Sequence, residues 1–88
     1  MELEAYRNKI DKIDEEILRL FEKRMELAGE IGQWKRENHM PVFQPEREAQ
    51  KLDCLKKQAD SRLSPYAMKL FETLFALSRA YQESRLQP

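Results

Sequence analysis

The chain has 88 residues, of which 36% are charged and 41% are hydrophobic, and its 16 basic side chains balance its 16 acidic ones. This length allows one domain, residues 1–88, and the lack of a basic excess argues against a nucleic-acid partner. A lone cysteine, Cys54, excludes an internal disulfide, and a lone histidine argues against a metal site. A chain this short, with neither a disulfide nor a bound metal to stabilise it, is expected to need a partner subunit.

The first residues are charged from Glu2 onward and lack the apolar core of a signal peptide. No window approaches the roughly 20 consecutive apolar residues that a membrane span requires. We therefore expect a cytoplasmic protein that has no membrane partner.

The first predicted element is a long amphipathic helix over residues 3–38. Its apolar residues recur in alternating steps of three and four, the spacing that places side chains on one helical face. We expect it to end before Pro41, because proline disfavours helical geometry in the residue that precedes it. The apolar series consists of Leu3, Tyr6, Ile10, Ile13, Ile17, Leu20, Leu27, Ile31 and Trp34.

Two shorter helices follow a loop that contains prolines. Pro45 suits the first turn of a helix, so the second helix is predicted over residues 45–60. Ser64 followed by Pro65 is a helix-start signal and predicts a third helix over residues 65–85. No strand pattern competes, and the fold class is therefore all-α. The residues that we expect these two helices to bury are Ala49, Leu52, Leu55 and Ala59, then Ala67, Leu70, Phe71, Leu74, Phe75, Leu77 and Tyr81.

The length of the first helix predicts a dimer. A helix of about 36 residues is roughly 54 Å long, whereas a compact globule of this size is roughly 30 Å across. Its apolar face must then be covered by another chain, most simply by the same helix of a two-fold partner running antiparallel. We infer an intertwined homodimer. An isolated helical hairpin or coiled coil is the alternative, and the aromatic face of the third helix counts against it.

Three cations of the first helix are candidate site residues. Arg24 occupies the missing place in the apolar series, so it is either a buried ion-pair partner or a ligand-binding group. Lys35 projects from nearly the same face roughly 16 Å further on, where it either helps to hold a small dianion or complements the helix dipole. Arg7 lies roughly 25 Å before Arg24, and an antiparallel dimer would carry it toward the Arg24 end of the other chain.

Polar residues of the other helices also have two interpretations. Ser78 and Gln82, one turn apart, continue the apolar line of the third helix, so they either satisfy each other and the backbone or face the same cavity as Arg24. Arg47 and Glu48 lie in the first turn of the second helix. There they are either site residues or features that cap the helix and complement its dipole.

The spacing of these residues resembles the all-helical (AroQ-type) chorismate mutase family over nearly the whole chain. The resemblance implies an intertwined dimer of three-helix chains with two equivalent sites. It also implies the isomerisation of chorismate to prephenate in aromatic amino-acid biosynthesis, without a cofactor or a metal. The residues that carry the resemblance are Arg7, Ile10, Ile13-Asp14, Ile17-Leu18, Leu20, Arg24, Leu27-Ala28, Ile31-Gly32, Lys35, Pro41-Val42, Arg47-Glu48, Ser78 and Gln82.

The resemblance implies four catalytic residues. Arg24 would bind a carboxylate of the substrate, because a guanidinium fork matches a carboxylate. Lys35 and Gln82 would donate hydrogen bonds to the ether oxygen, and Glu48 would accept one from the ring hydroxyl.

Four further residues would bind the substrate. The partner subunit's Arg7 would bind a carboxylate, Ser78 would support one, and Arg47 would line the pocket. Gln44 stands where some relatives have an aspartate, which leaves the role of its side chain open, although a backbone contact there can persist.

Two other functions stay open at this point. An isochorismate-pyruvate lyase of the same fold uses a similar cationic pocket, and sequence alone separates it poorly from a mutase. A helical dimer that regulates or docks on another pathway enzyme is the non-catalytic alternative. The retained candidate residues, among them Lys35 and Glu48, argue against it.

Overall fold

The computed structural model describes residues 1–84, which form three α-helices. They are α1 (Glu2–Glu37), α2 (Pro45–Gln58) and α3 (Ser64–Ser84). The predicted all-α class, with a long, a short and a medium helix, is confirmed for these residues, and they contain no strand. The expected end of the third helix, near residue 85, lies outside the described residues. None of the three helices has the length and apolarity that a membrane crossing demands.

The helix α1 runs the whole length of the molecule. The Cα atoms extend over 55 × 30 × 14 Å, and the 36 residues of α1 account for the longest dimension. The helix ends in a Schellman motif, in which the Met40 N–H donates to the Lys35 carbonyl at 2.8 Å and the His39 N–H donates to the Arg36 carbonyl. His39 has the left-handed φ of 55° that this motif uses. The chain thereby leaves the helix at Asn38 and turns at His39.

The core lies where α3 packs on the C-terminal half of α1. The hydrophobic residues buried there are Ala28 and Phe75. At Gly32 the helices approach so closely that a Cβ atom would lie 2.9 Å from the Cβ atom of Gln82, nearer than side-chain carbons normally come. The second helix packs on α3 but, within residues 1–84, not directly on α1. Helix α3 is therefore the central element of the chain.

The apolar series of α1 is not covered by its own chain. Its nine members keep between 49% of their surface exposed, at Ile31, and 64%, at Leu20. The residues of α1 that α3 does bury are small and lie on a different face, namely Ala28, Gly29 and Gly32. The long apolar face of α1 is thus available to another molecule.

The burial predicted for α2 and α3 is wrong at three positions in the single chain. Ala49 is exposed, and Leu70 and Leu77 keep 55% and 42% of their surface exposed. The reason is geometric, because within residues 1–84 α3 packs on α1 and α2 and leaves another side open, while α2 packs on α3 alone. The other residues expected in the core are buried or half-buried.

Candidate active site

A cavity of about 480 Å³ lies between the C-terminal halves of α1 and α3, the loop that follows α1 and the first turns of α2. Its volume is within the roughly 300–1,000 Å³ of typical small-molecule sites. Apolar side chains form much of the wall: Leu27, Ala28, Ile31, Met40, Val42 and Phe75. Seven of the eight predicted site residues line it as well: Arg24, Lys35, Gln44, Arg47, Glu48, Ser78 and Gln82.

Arg24 is half-buried and contacts a hydroxyl and an aromatic ring. Its Nη1 donates a hydrogen bond to the Ser78 hydroxyl, and its guanidinium carbon lies 5.5 Å from the centre of the Phe75 ring. Burial lowers the pKa of Arg24. Among the residues that the structure describes, no acidic side chain forms an ion pair with it. Of the two interpretations of this residue, the geometry therefore favours a ligand-binding group.

Lys35 is fixed by two acceptors. Its Nζ atom donates to the Val42 carbonyl at 2.9 Å and to Oε1 of Gln82 at 3.3 Å. Burial lowers the pKa of Lys35, and the negative charge of Glu48 opposes that shift. The loop after α1 and the end of α3 thus hold the ammonium group in the cavity.

Glu48 is held by Arg79, a residue that the sequence analysis does not identify. The Nη1 atom of Arg79 donates to both carboxylate oxygens, with a distance of 2.6 Å to Oε2. The guanidinium carbon of Arg79 also lies 4.9 Å from the centre of the Phe43 ring. The sequence signal is weak here, because Arg79 lies about 100° around the helix from Ser78 and so off the apolar line.

The mouth of the cavity is formed by the first turns of α2 and by the loop before it. Gln44 uses its Nε2 group to donate to the Pro41 carbonyl at 3.2 Å. Arg47 is exposed, and Lys51, one turn later, lines the cavity with it. Lys51 is a second residue that the sequence analysis does not identify, although its spacing of four from Arg47 places both on one helical face.

Arg7 is the predicted site residue that the chain does not bring to the cavity. It is exposed near the N-terminus of α1, where its Nη1 atom lies 2.9 Å from Oε1 of Glu4. It precedes Arg24 by roughly 25 Å along the helix. Within one chain the two guanidinium groups therefore cannot bind the same small ligand.

The charge around the cavity is strongly positive although the chain is neutral. Among residues 1–84, four cationic side chains line it, Arg24, Lys35, Arg47 and Lys51, against one carboxylate, that of Glu48. That carboxylate is already paired with Arg79. The arrangement is suited to a small organic anion that also carries a hydrogen-bond donor for Glu48.

Comparison with known proteins gives one family. The family model for chorismate mutase type II matches residues 6–83. The chorismate mutase of Methanocaldococcus jannaschii is 31% identical over 90 residues, which cover 97% of this chain and 88% of that protein. No solved structure matches the chain.

Two longer relatives match part of the chain. The bifunctional chorismate mutase/prephenate dehydratase of Aquifex aeolicus is 51% identical over 47 residues, or 53% of this chain. The T-protein of Enterobacter agglomerans is 42% identical over 60 residues, or 68% of this chain. The matched regions are only 13% and 16% of the length of those two proteins. Because the family model covers most of the chain and the Methanocaldococcus protein aligns with nearly all of it, the chain belongs to the chorismate mutase type II family, in agreement with the resemblance described above.

Proposed function

We propose that the chain is a chorismate mutase, which isomerises chorismate to prephenate in aromatic amino-acid biosynthesis. The observation that carries the proposal is Arg24, a half-buried cation that faces a small cavity and, within residues 1–84, forms no ion pair with a carboxylate. A cation that is removed from water is costly unless an anion compensates it. Chorismate carries two carboxylates, an ether oxygen and a ring hydroxyl, and the cavity offers a partner for each kind of group.

The reaction is a unimolecular Claisen rearrangement, which needs no proton transfer. The chain can accelerate it by holding the enolpyruvyl arm over the ring and by stabilising the negative charge that grows on the ether oxygen. In this proposal Arg24 binds a carboxylate, while Lys35 and Gln82 donate to the ether oxygen. Glu48 accepts a hydrogen bond from the ring hydroxyl and thereby fixes the orientation of the ring.

Three other residues have supporting roles in the proposal. Ser78 accepts from Arg24 and fixes the direction of its guanidinium. Arg47 attracts the anionic substrate from the mouth of the cavity. The side chain of Gln44 is engaged by the Pro41 carbonyl, so a substrate contact at this position is assigned to its backbone.

We also propose that a second copy of the chain completes the site. Leu27 and Ile31 belong to the exposed apolar series of α1 and also line the cavity, so a molecule that covers this series also closes the cavity. An antiparallel second α1 would do so, and it would bring the partner subunit's Arg7 toward Arg24. The substrate would then be held by a guanidinium from each chain.

The relatives support the same reaction. The Methanocaldococcus protein that aligns with nearly the whole chain is named a chorismate mutase. The Aquifex protein couples a mutase to a prephenate dehydratase, which supports prephenate as the product.

A direct assay tests the proposal. Purified chain is incubated with chorismate, and the product is separated and identified; prephenate is expected. Isochorismate is supplied in a parallel reaction, and released pyruvate is measured. A folded, helical chain that leaves chorismate unchanged contradicts the proposal. Pyruvate release would then indicate the lyase, and inertness toward both substrates would indicate a non-catalytic helical dimer.

A further inference from the structure

We infer that Arg79 is a positioning residue that places the Glu48 carboxylate in the candidate site. The inference rests on the proposed function, because it takes Glu48 to be the acceptor for the ring hydroxyl. Arg79 does not itself line the cavity, whereas Glu48 does. Its effect on a bound substrate must therefore pass through Glu48.

The contacts of Arg79 join three parts of the chain. From α3 it donates to both carboxylate oxygens of Glu48 on α2, and its guanidinium lies over the Phe43 ring in the loop before α2. The side chains of the ion pair keep only 32% and 24% of their surface exposed, for Arg79 and Glu48 respectively. The attraction within a pair that is shielded from water to this degree is screened less by salt than that of exposed pairs on a helix surface. A cation over an aromatic ring adds to the attraction.

The position of Glu48 depends on this link because of how the helices pack. The site cations Arg24 and Lys35 belong to α1, but α2 packs on α3 and not directly on α1 in the described part of the chain. The separation between Glu48 and these cations is therefore set through α3 and the loop of residues 38–44. The Arg79 side chain contacts both the loop, at Phe43, and α2, at Glu48.

Two adjacent residues of α3 thus bind side chains on opposite walls of the cavity. Ser78 accepts from Arg24 on the α1 side, and Arg79 donates to Glu48 on the α2 side. The carboxylate is still able to accept from a ligand, since its two oxygens offer about four lone-pair sites and Arg79 occupies one on each. The arrangement holds Glu48 without blocking it.

The kinetic consequence is a change in KM rather than in kcat. The ring hydroxyl does not react, so a contact to it has similar strength in the bound substrate and in the transition state. Loss of such a contact weakens both states equally and raises KM while kcat stays nearly constant. A purely structural role would instead reduce the amount of folded protein and leave the KM of the remainder unchanged.

The experiment compares wild type, Arg79→Met, Arg79→Lys and the control Arg62→Met with chorismate as substrate. Arg62 pairs with Asp60 in the turn between α2 and α3, so its replacement removes the same charge from an exposed pair elsewhere in the chain. For Arg79→Met we expect KM to rise about tenfold with kcat within about threefold. Arg79→Lys keeps a cationic donor and should recover part of the loss, and Arg62→Met should retain the wild-type KM.

A double-mutant cycle tests the route of the effect. If Arg79 acts through Glu48, Arg79→Met added to Glu48→Gln should leave KM nearly where Glu48→Gln alone puts it. Two KM effects that multiply overturn the inference, as does a wild-type KM in Arg79→Met. Should Arg79→Met fail to fold, Arg79→Gln, which also lacks the positive charge, takes its place, and a wild-type KM in that variant overturns the inference.

Amide hydrogen exchange gives a readout that needs no catalysis. With the link removed, we expect faster exchange across residues 48–55 of α2 in Arg79→Met, while exchange in α1 stays unchanged. Equal exchange of α2 in wild type and variant overturns the positioning role. A wild-type chain that does not convert chorismate would refute the proposed function instead, and the two failures are therefore distinguishable.

Discussion

Lys35 and Gln82 are joined by a hydrogen bond in which the Lys35 ammonium donates to Oε1 of Gln82 across 3.3 Å. A side-chain amide accepts at its oxygen and donates at its nitrogen, so this bond leaves the Nε2 group of Gln82 as the end that can donate to a ligand. Lys35 also donates to the Val42 carbonyl, which leaves one of its three N–H groups. The pair thus directs one donor from α1 and one from α3 into the cavity.

The first prediction concerns Lys35 as a donor to the developing negative charge. Lys35→Ala should lower kcat by about 10²–10³-fold, the usual effect of deleting a preorganised donor to such a charge. Circular dichroism should show unchanged helicity, because Lys35 is not part of the buried apolar core. Lys57→Ala is the matched control, since it removes the same charge from an exposed pair with Asp53 on α2. A kcat near the wild-type value in Lys35→Ala would refute the assigned role.

The second prediction concerns pH. Burial lowers the pKa of Lys35, and Glu48 only partly offsets this effect, so the ammonium loses its proton at a lower pH than an ordinary lysine, whose pKa is 10.5. Because the neutral amine lacks the positive charge that stabilises the ether oxygen, kcat/KM should fall as the pH rises through a value below 10.5. Lys35→Arg stays protonated there, so its profile should lack this alkaline limb. An identical limb in both proteins would show that another group is responsible.

The same shift has a stability consequence of defined sign. Between the lowered pKa of folded Lys35 and the ordinary pKa of the unfolded chain, the unfolded state binds more protons than the folded state. The Lys35 contribution to the free energy of unfolding therefore rises with pH in that interval. Urea unfolding of wild type and Lys35→Arg at several pH values in this interval measures the contribution. The free energy of unfolding should rise more steeply with pH in wild type than in Lys35→Arg.

The third prediction concerns Gly32. Gly32→Ala should lower the free energy of unfolding by about 1–3 kcal/mol, because the new methyl group meets the Gln82 side chain and the helices must shift. Helix propensity alone would favour alanine by about 1 kcal/mol. A net loss of stability would therefore show that the close contact with the Gln82 side chain outweighs this gain. We expect kcat to fall too, since Gln82 is displaced. Gln33→Ala, at an exposed position of the same turn, should change neither quantity. A Gly32→Ala chain as active and as stable as wild type would contradict the close approach.

The fourth prediction tests the shared site. Arg7→Ala and Arg24→Ala should each be nearly inactive, and a mixture refolded together should recover activity, because one of the two sites in each heterodimer has both guanidinium groups. Random pairing makes half of the dimers mixed, so about one quarter of the wild-type activity is expected. No recovery, with heterodimers demonstrated by differently tagged chains, would refute a site completed in trans.

The sequence predicts the helices well because their signals are local. Alternating apolar steps define α1, and prolines mark the start of α2 and α3. The expected first helix, residues 3–38, differs from the observed one by a single residue at each end. All the residues predicted for the site except Arg7 gather at one cavity for a related reason. Arg24 interrupts the apolar series of α1, Ser78 and Gln82 continue the apolar line of α3, and the cavity lies between these two helices. The roles given to these residues stay predictions.

What the sequence does not predict is which helix faces which. Periodicity gives the direction of a side chain around its own axis, but not the neighbour that it meets. Arg79 and Lys51 lie off the apolar lines, so their places beside Glu48 and at the cavity depend on how α2 sits on α3. For the same reason Leu70 and Leu77 are predicted inside although the single chain leaves them exposed.

If two chains pair through the uncovered face of α1, as proposed, the stability of the fold depends on the protein concentration. Folding and association would then be one reaction, so dilution lowers the unfolding midpoint as well as the amount of dimer. Trp34, the single tryptophan of the chain, lies on that face with 55% of its surface exposed. Its fluorescence therefore reports directly whether a second chain is present.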